Sequence, residues 1–157
     1  MRSHRHRSFR PLVVRLMNKL VSRPVEKIKG SIKVPGDKSI SHRALIIGAV
    51  AVGETVIMGL LEGEDVLDTA KALAELGVRS TRDSMGRWHV QGVGIGGLSN
   101  PGAVINFGNS GTGARLITGL VATHEISMQV TGDSSLRTRP MDRVLEPLSQ
   151  MGAEVIA

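Results

Sequence analysis

From residue 26 onward the chain alternates two hydrophobic rhythms, with glycines between them. Residues 28–34 alternate apolar and polar (Ile28, Ile32 and Val34, with Ser31 out of step) up to Pro35-Gly36, which predicts a strand. Residues 41–52 are apolar almost all round (Ala44, Leu45, Ile46, Ile47, Ala49, Val50) and predict a buried helix ended by Gly53. Residues 55–61, β-branched at their start, read as a strand. Residues 66–76 place Leu67, Ala70, Leu73, Ala74 and Leu76 along one helical side, and Gly77 follows at the C-cap position. Residues 78–82 and 88–93 form a predicted hairpin across Asp83-Ser84-Met85-Gly86.

The same order then starts again. Residues 104–107 predict a strand, 112–123 a largely apolar helix and 126–131 a strand. Residues 141–151 carry Met141, Val144, Leu145, Leu148 and Met151 at helical spacing, with Pro147 expected to bend the helix and Gly152 to close it. Arg43 and Arg115, each near the start of an apolar helix, lie 72 residues apart, and Gly77 and Gly152 lie 75 apart. Two copies of roughly βαβαββ follow, about 36–103 and 104–157, the second cut before its last hairpin. Such units bury their apolar faces on neighbours.

Charge alters this picture only at one end. The chain has 157 residues and a formal charge of +6. Seven Arg and Lys and no acid fall in residues 1–23, so the other 134 residues hold 13 basic and 14 acidic groups, a net of −1. Residues 1–26 therefore read as a basic, unstructured tail, or as an organelle-targeting peptide. The neutral body gives no polyanion-binding surface, and three aromatic residues (Phe9, Trp88, Phe107) give no stacking platform for bases, so nucleic acid is not an expected partner. No apolar run is long enough to span a membrane. With no cysteine, disulfides and thiolate-ligated metal sites are excluded.

Three polar clusters sit where strands give way to helices. In PGDKSISHR (35–43), Ser39 and Arg43 share a helical face, and Lys38 adds a second cation at a helix start whose N–H groups lack intrahelical acceptors. That combination suits phosphate or carboxylate; a capped helix with two solvated cations is the bland alternative. His42 lies within it and could bond a ligand. GNSGTGAR (108–115) supplies glycines for close approach, the polar side chains of Asn109, Ser110 and Thr112, and Arg115. In GDSSLRTRP (132–140), Arg137 and Arg139 alternate in a segment read as irregular, a pattern suited to bidentate anion recognition. Two other motifs fail. Gly92, Gly94 and Gly97 have dinucleotide-binding spacing but no helix after them. Gly36-Asp37-Lys38-Ser39 lacks the Gly-Lys-Ser order of a nucleotide-binding P-loop, and Gly30 is one residue too far away. No His pair has metal-ligand spacing.

PGDKSISHRAL, GNSGTGARL and GDSSLRTRPM, in this order, resemble the N-terminal part of the 5-enolpyruvylshikimate-3-phosphate synthase (3-phosphoshikimate 1-carboxyvinyltransferase) family. GETVIMGLLEGEDVLDTAKALAELGV between them fits as well. The resemblance covers residues 27–157. The sister enzyme acting on UDP-N-acetylglucosamine differs in its lysine loop and usually carries a catalytic Cys, absent here.

The resemblance implies an α/β fold, the inside-out α/β barrel of enolpyruvyl transferases built from repeated βαβαββ units, here incomplete. It implies transfer of enolpyruvyl from phosphoenolpyruvate to the 5-hydroxyl of shikimate 3-phosphate, in chorismate and aromatic amino-acid biosynthesis, without metal or organic cofactor. By position, Lys38 should contact both substrates and act in catalysis. Ser39 and Arg43 should hold shikimate 3-phosphate. Asn109, Gly111, Thr112 and Arg139 should form the phosphoenolpyruvate pocket, with Arg115 in support. Glyphosate occupies that pocket in the family, and some resistant members have a larger residue where Gly111 stands, so a sensitive site is expected. Family members are much longer, and the groups thought to move protons lie outside the matched part. The expectation is a segment inactive alone, possible to complete with a C-terminal chain and cytoplasmic unless the tail directs it to an organelle. A non-catalytic phosphoshikimate-binding module and an inactive fragment are the alternatives.

Overall fold

The computed structural model describes residues 21–156. The chain divides into two units between Ile32 and Lys33. The tail expected over 1–26 lies outside the described residues except for 21–26, and residues 21–32 contain no helix or strand.

The predicted strand at 28–34 does not form: Ile28, Ile32 and Val34 are 89%, 87% and 70% exposed. Alternation prepares a segment to pair, but a strand exists only where another edge takes its N–H and C=O groups.

In the unit from Lys33 onward the chain runs α1 (Lys38–Val50), β1 (Val52–Ile57), α2 (Glu64–Glu75), β2 (Arg79–Arg82), β3 (Trp88–Val93), β4 (Ile105–Asn106), α3 (Gly111–Val121), β5 (Val130–Thr131), α4 (Ser134–Arg137) and α5 (Asp142–Gln150). The α/β alternation expected from the sequence is present. β1, β3 and β2 form an antiparallel sheet in that order, with Val52 opposite Val93 and Arg82 opposite Trp88. β4 and β5 pair in parallel, Ile105 opposite Val130, and α3 makes the crossover that parallel strands require.

Local chemistry explains most boundaries. The carboxylate of Asp37 accepts from the Ile40 N–H at 2.8 Å and caps α1. α2 begins with Glu64 and Asp65, negative charge at the positive end of the helix dipole. It ends at Gly77 (φ +91°), where the Val78 N–H donates to the Leu73 carbonyl and the Gly77 N–H to that of Ala74. Gly152 (φ +102°) closes α5 in the same way, bonding Ser149 while Ala153 bonds Leu148.

The core joins α1, α2, α3 and one face of the sheet through Leu45, Val66, Leu73, Leu76, Val78, Val90, Phe107 and Ile117, all at most 1% exposed. Three expectations are corrected here. α1 is not buried all round: Ile40 and Ile47 remain 69% and 65% exposed, because β3 and α2 cover one face only. Gly53 lies inside β1, and the helix stops earlier, at Val50. Residues 134–137, read as irregular, form the one-turn helix α4, capped by Asp133 through the Leu136 N–H at 2.7 Å.

Candidate active site

The starts of α1 and α3 both close onto the start of α2. On α1, Lys38 reaches across to the carboxylate of Asp65 in the first turn of α2. The N–H groups of Lys38 and Ser39 precede the first bonded turn, since Asp37 takes those of Ile40 and Ser41. Ser39 and Arg43 are exposed, and the Arg43 guanidinium folds back on the Ser39 carbonyl at 3.1 Å. The three residues predicted for one anion thus occupy a single helix mouth.

His42 does not join them. It is fully buried, and its Nδ1 lies 2.8 Å from the Thr69 hydroxyl of α2. Burial, reinforced by the nearby Lys38 ammonium, holds its pKa below the ordinary imidazole value. A ligand contact through His42 is therefore replaced by an inward one, because position 42 falls on the helix face that meets α2.

At the other mouth, Ser110 caps α3 by accepting from the Gly113 N–H at 3.2 Å. Asn109, Gly111, Arg115 and Arg139 meet here. Arg115 donates to the carbonyls of Gly111 (3.1 Å) and Pro140 (2.7 Å). Arg139 donates to the Asn109 side chain at 2.5 Å, and Asn109 in turn donates to Asp133 at 2.7 Å. The Asn109 bond, with the Leu136 N–H behind it, keeps the Asp133 carboxyl below the usual carboxylate range. A Cβ at Gly111 would lie 2.8 Å from one Arg115 guanidinium nitrogen and 2.9 Å from one of Arg139. Glycine is what lets both cations lie over the helix start. Thr112 is exposed beside them, and so is Arg137.

Charge is uneven around these mouths. A cleft of about 370 Å³ between α2 and the α3 approach is walled by Glu64, Asp65, Asp68 and Asp133, with Asn109 the one predicted site residue among its lining. Lys71, paired with Asp68 at 2.8 Å, is the cation of that lining, and Lys38, Arg43, Arg115 and Arg139 are not part of it. A larger hollow of about 530 Å³, bordered by Lys33, Glu62 and Arg82, contains none of the predicted residues. Among the described residues no group of His, Cys, Asp and Glu is arranged to hold a metal ion, and no helix is long and apolar enough to cross a membrane.

Sequence reading missed Asp65, Asp133 and the inward roles of Ser110 and Thr69. Asp133 had a signal: an Asp before Ser-Ser-Leu is an N-cap pattern. Asp65 had only its place in an acidic first turn.

The family profile for EPSP synthase (3-phosphoshikimate 1-carboxyvinyltransferase) matches residues 22–157. The 3-phosphoshikimate 1-carboxyvinyltransferases of Novosphingobium aromaticivorans and Afipia carboxidovorans are each 59% identical to this chain, over 83% and 87% of it. The chain spans only 30% and 31% of their lengths. A solved EPSP synthase from Acinetobacter baumannii is 44% identical over 80% of this chain and 28% of its own, with a TM-score of 0.76.

Proposed function

The chain belongs to the EPSP synthase family, and from that premise we propose that it is the N-terminal segment of an enzyme that transfers enolpyruvyl from phosphoenolpyruvate to the 5-hydroxyl of shikimate 3-phosphate. The observation that carries this reading is the pairing of two cationic helix mouths on one helix start. Lys38, Ser39 and Arg43 stand at α1, and Arg115 and Arg139 over Gly111 at α3. Both substrates are anions with several charges. Helix N-termini with fixed guanidinium and ammonium groups favour them and favour the charge that develops as the tetrahedral intermediate forms.

In this reading Lys38 exchanges Asp65 for substrate and contacts both reactants. Ser39 and Arg43 hold the phosphate of shikimate 3-phosphate. Asn109, Gly111, Thr112 and Arg139 hold phosphoenolpyruvate, and Arg115 fixes the Gly111 carbonyl from behind. The groups that move protons come from the remaining part of the enzyme, supplied as a complementing C-terminal chain, in the cytoplasm.

Calorimetric titration of shikimate 3-phosphate into the 157-residue chain tests the reading. Saturable binding is expected, weakened at least tenfold by Lys38→Ala or Arg43→Ala, the scale of a lost charge-assisted hydrogen bond. Absence of saturable binding, or binding indifferent to both substitutions, rejects it. Turnover by this chain alone would reject the assignment of proton transfer to a second chain.

A further inference from the structure

Three buried side chains that contact no proposed ligand are bonded around one backbone carbonyl. The Thr69 hydroxyl donates to the Asp65 carbonyl at 3.3 Å, one turn back along α2. The Ser110 hydroxyl donates to that same carbonyl at 3.1 Å from the start of α3, and accepts from the Gly113 N–H. His42 of α1 meets the Thr69 oxygen at 2.8 Å. His42, Thr69 and Ser110 are all fully buried.

Donor counting fixes the rest. Thr69 has one hydroxyl hydrogen, so both contacts are hydrogen bonds at once only when that hydrogen goes to the Asp65 carbonyl and His42 donates from Nδ1. His42 Nε2 then keeps a lone pair; it is buried and has no partner among the described residues, so a second proton there would find no acceptor among them. Gly113 completes the arrangement, since a Cβ there would come within 2.5 Å of the Thr69 hydroxyl oxygen and 2.7 Å of that of Ser110. The chain of bonds links the two mouths: His42 is one turn beyond Lys38, Asp65 holds Lys38 through its side chain, and Ser110 adjoins Gly111.

We propose that His42 and Thr69 are positioning residues, which lock the starts of α1 and α3 onto the Asp65 carbonyl and so set Lys38 against Gly111 for an anionic ligand. The ligand part of this rests on the function proposed above. Neither side chain touches substrate. Both act by removing the freedom of α1 to slide or turn against α2, which would carry Lys38 away from the α3 mouth.

Nitrogen-15 NMR of the full chain, with Thr69→Val and Thr69→Ser, tests it. Valine keeps the volume and removes the hydroxyl, while serine retains the hydroxyl. In the unsubstituted chain His42 is expected to be a neutral Nδ1–H tautomer at neutral pH. In Thr69→Val the amide signals of Lys38, Ser39, Gly111 and Thr112 are expected to move together, and affinity for shikimate 3-phosphate to fall about fivefold, the effect of one neutral hydrogen bond. Thr69→Ser should restore both. An Nε2–H tautomer overturns the proposal. So does a Thr69→Val protein that melts earlier yet keeps its α1 and α3 signals and its affinity, because Thr69 is then only core. If Thr69→Val does not fold, Gly113→Ala, which drives a methyl between the two hydroxyls, is read the same way. A parent chain that fails to bind shikimate 3-phosphate rejects the proposed function, and the tautomer and amide signals then decide the positioning role alone.

Discussion

The mouth of α1 is capped by an exposed aspartate and its cations stand toward solvent, whereas the mouth of α3 is capped by a buried serine and its cations lie folded over a glycine. Among the described residues Lys38 has one partner, Asp65, and Arg43 only the Ser39 backbone carbonyl one turn back. Arg115 and Arg139 are each bonded to at least two groups before any ligand arrives. Under the proposed function the first mouth would bind with side chains that must still be ordered, whereas the fold has already ordered the second. Preorganised donors lose less freedom on binding, so each contact at α3 should count for more and tolerate less change.

The same contrast runs through the two halves. In residues 36–103 a hairpin completes a three-stranded sheet, and α2 buries Val66, Thr69, Ala70, Ala72 and Leu73. In residues 104–157 the paired strands are two residues long and α5 buries nothing fully, although its apolar spacing is as regular as that of α2. Periodicity offers a face, and a neighbour must be present to cover it.

The sharpest test of this contrast is deletion from the two amphipathic helices. Leu73→Ala should cost about 2–5 kcal/mol in urea unfolding and Leu148→Ala less than about 1 kcal/mol, since only Leu73 leaves a cavity in packed core. Equal costs would mean that α5 is packed as firmly as α2. Next come the two glycines of α3. Gly113→Ala should lose about 1–3 kcal/mol by crowding buried hydroxyls. Gly111→Ala crowds the terminal guanidinium nitrogens of Arg115 and Arg139, which can shift more easily than buried hydroxyls, and should lose less, under about 1 kcal/mol. A smaller difference is expected between caps: Asp37→Ala should cost about 1 kcal/mol by thermal melting, and Ser110→Ala more, because it also removes a buried donor from the Asp65 carbonyl. The mildest probe is acid. His42 has a folded pKa below its ordinary 6.5, so stability present above that value should decline as pH falls through it. Asp83 accepts from the Arg87 N–H and from the Arg87 guanidinium and meets the His89 ring, contacts that hold its carboxyl far below the carboxylate range. Its contribution should persist at neutral pH and vanish below the ordinary carboxylate pKa, so the gap in melting temperature between the unsubstituted chain and Asp83→Asn should close in strong acid.

Residue order alone was enough to announce α2, the β2–β3 hairpin, the α3 helix and the glycines at 77 and 152, because each depends on interactions within a few residues: a cap, a φ > 0 turn, a periodic apolar side. It also placed Lys38, Ser39 and Arg43 on one helix start, since i and i+4 share a face whatever the fold. The strand at 28–34 and the full burial of α1 were not decided there. Both require a partner from elsewhere in the sequence, and whether one arrives depends on long-range packing. Packing alone also turned His42 inward to Thr69, set Asp65 between Lys38 and Ser110, and brought Arg139 over Gly111. Those contacts join positions tens of residues apart, over distances where local periodicity carries no information, so three-dimensional packing had to choose them.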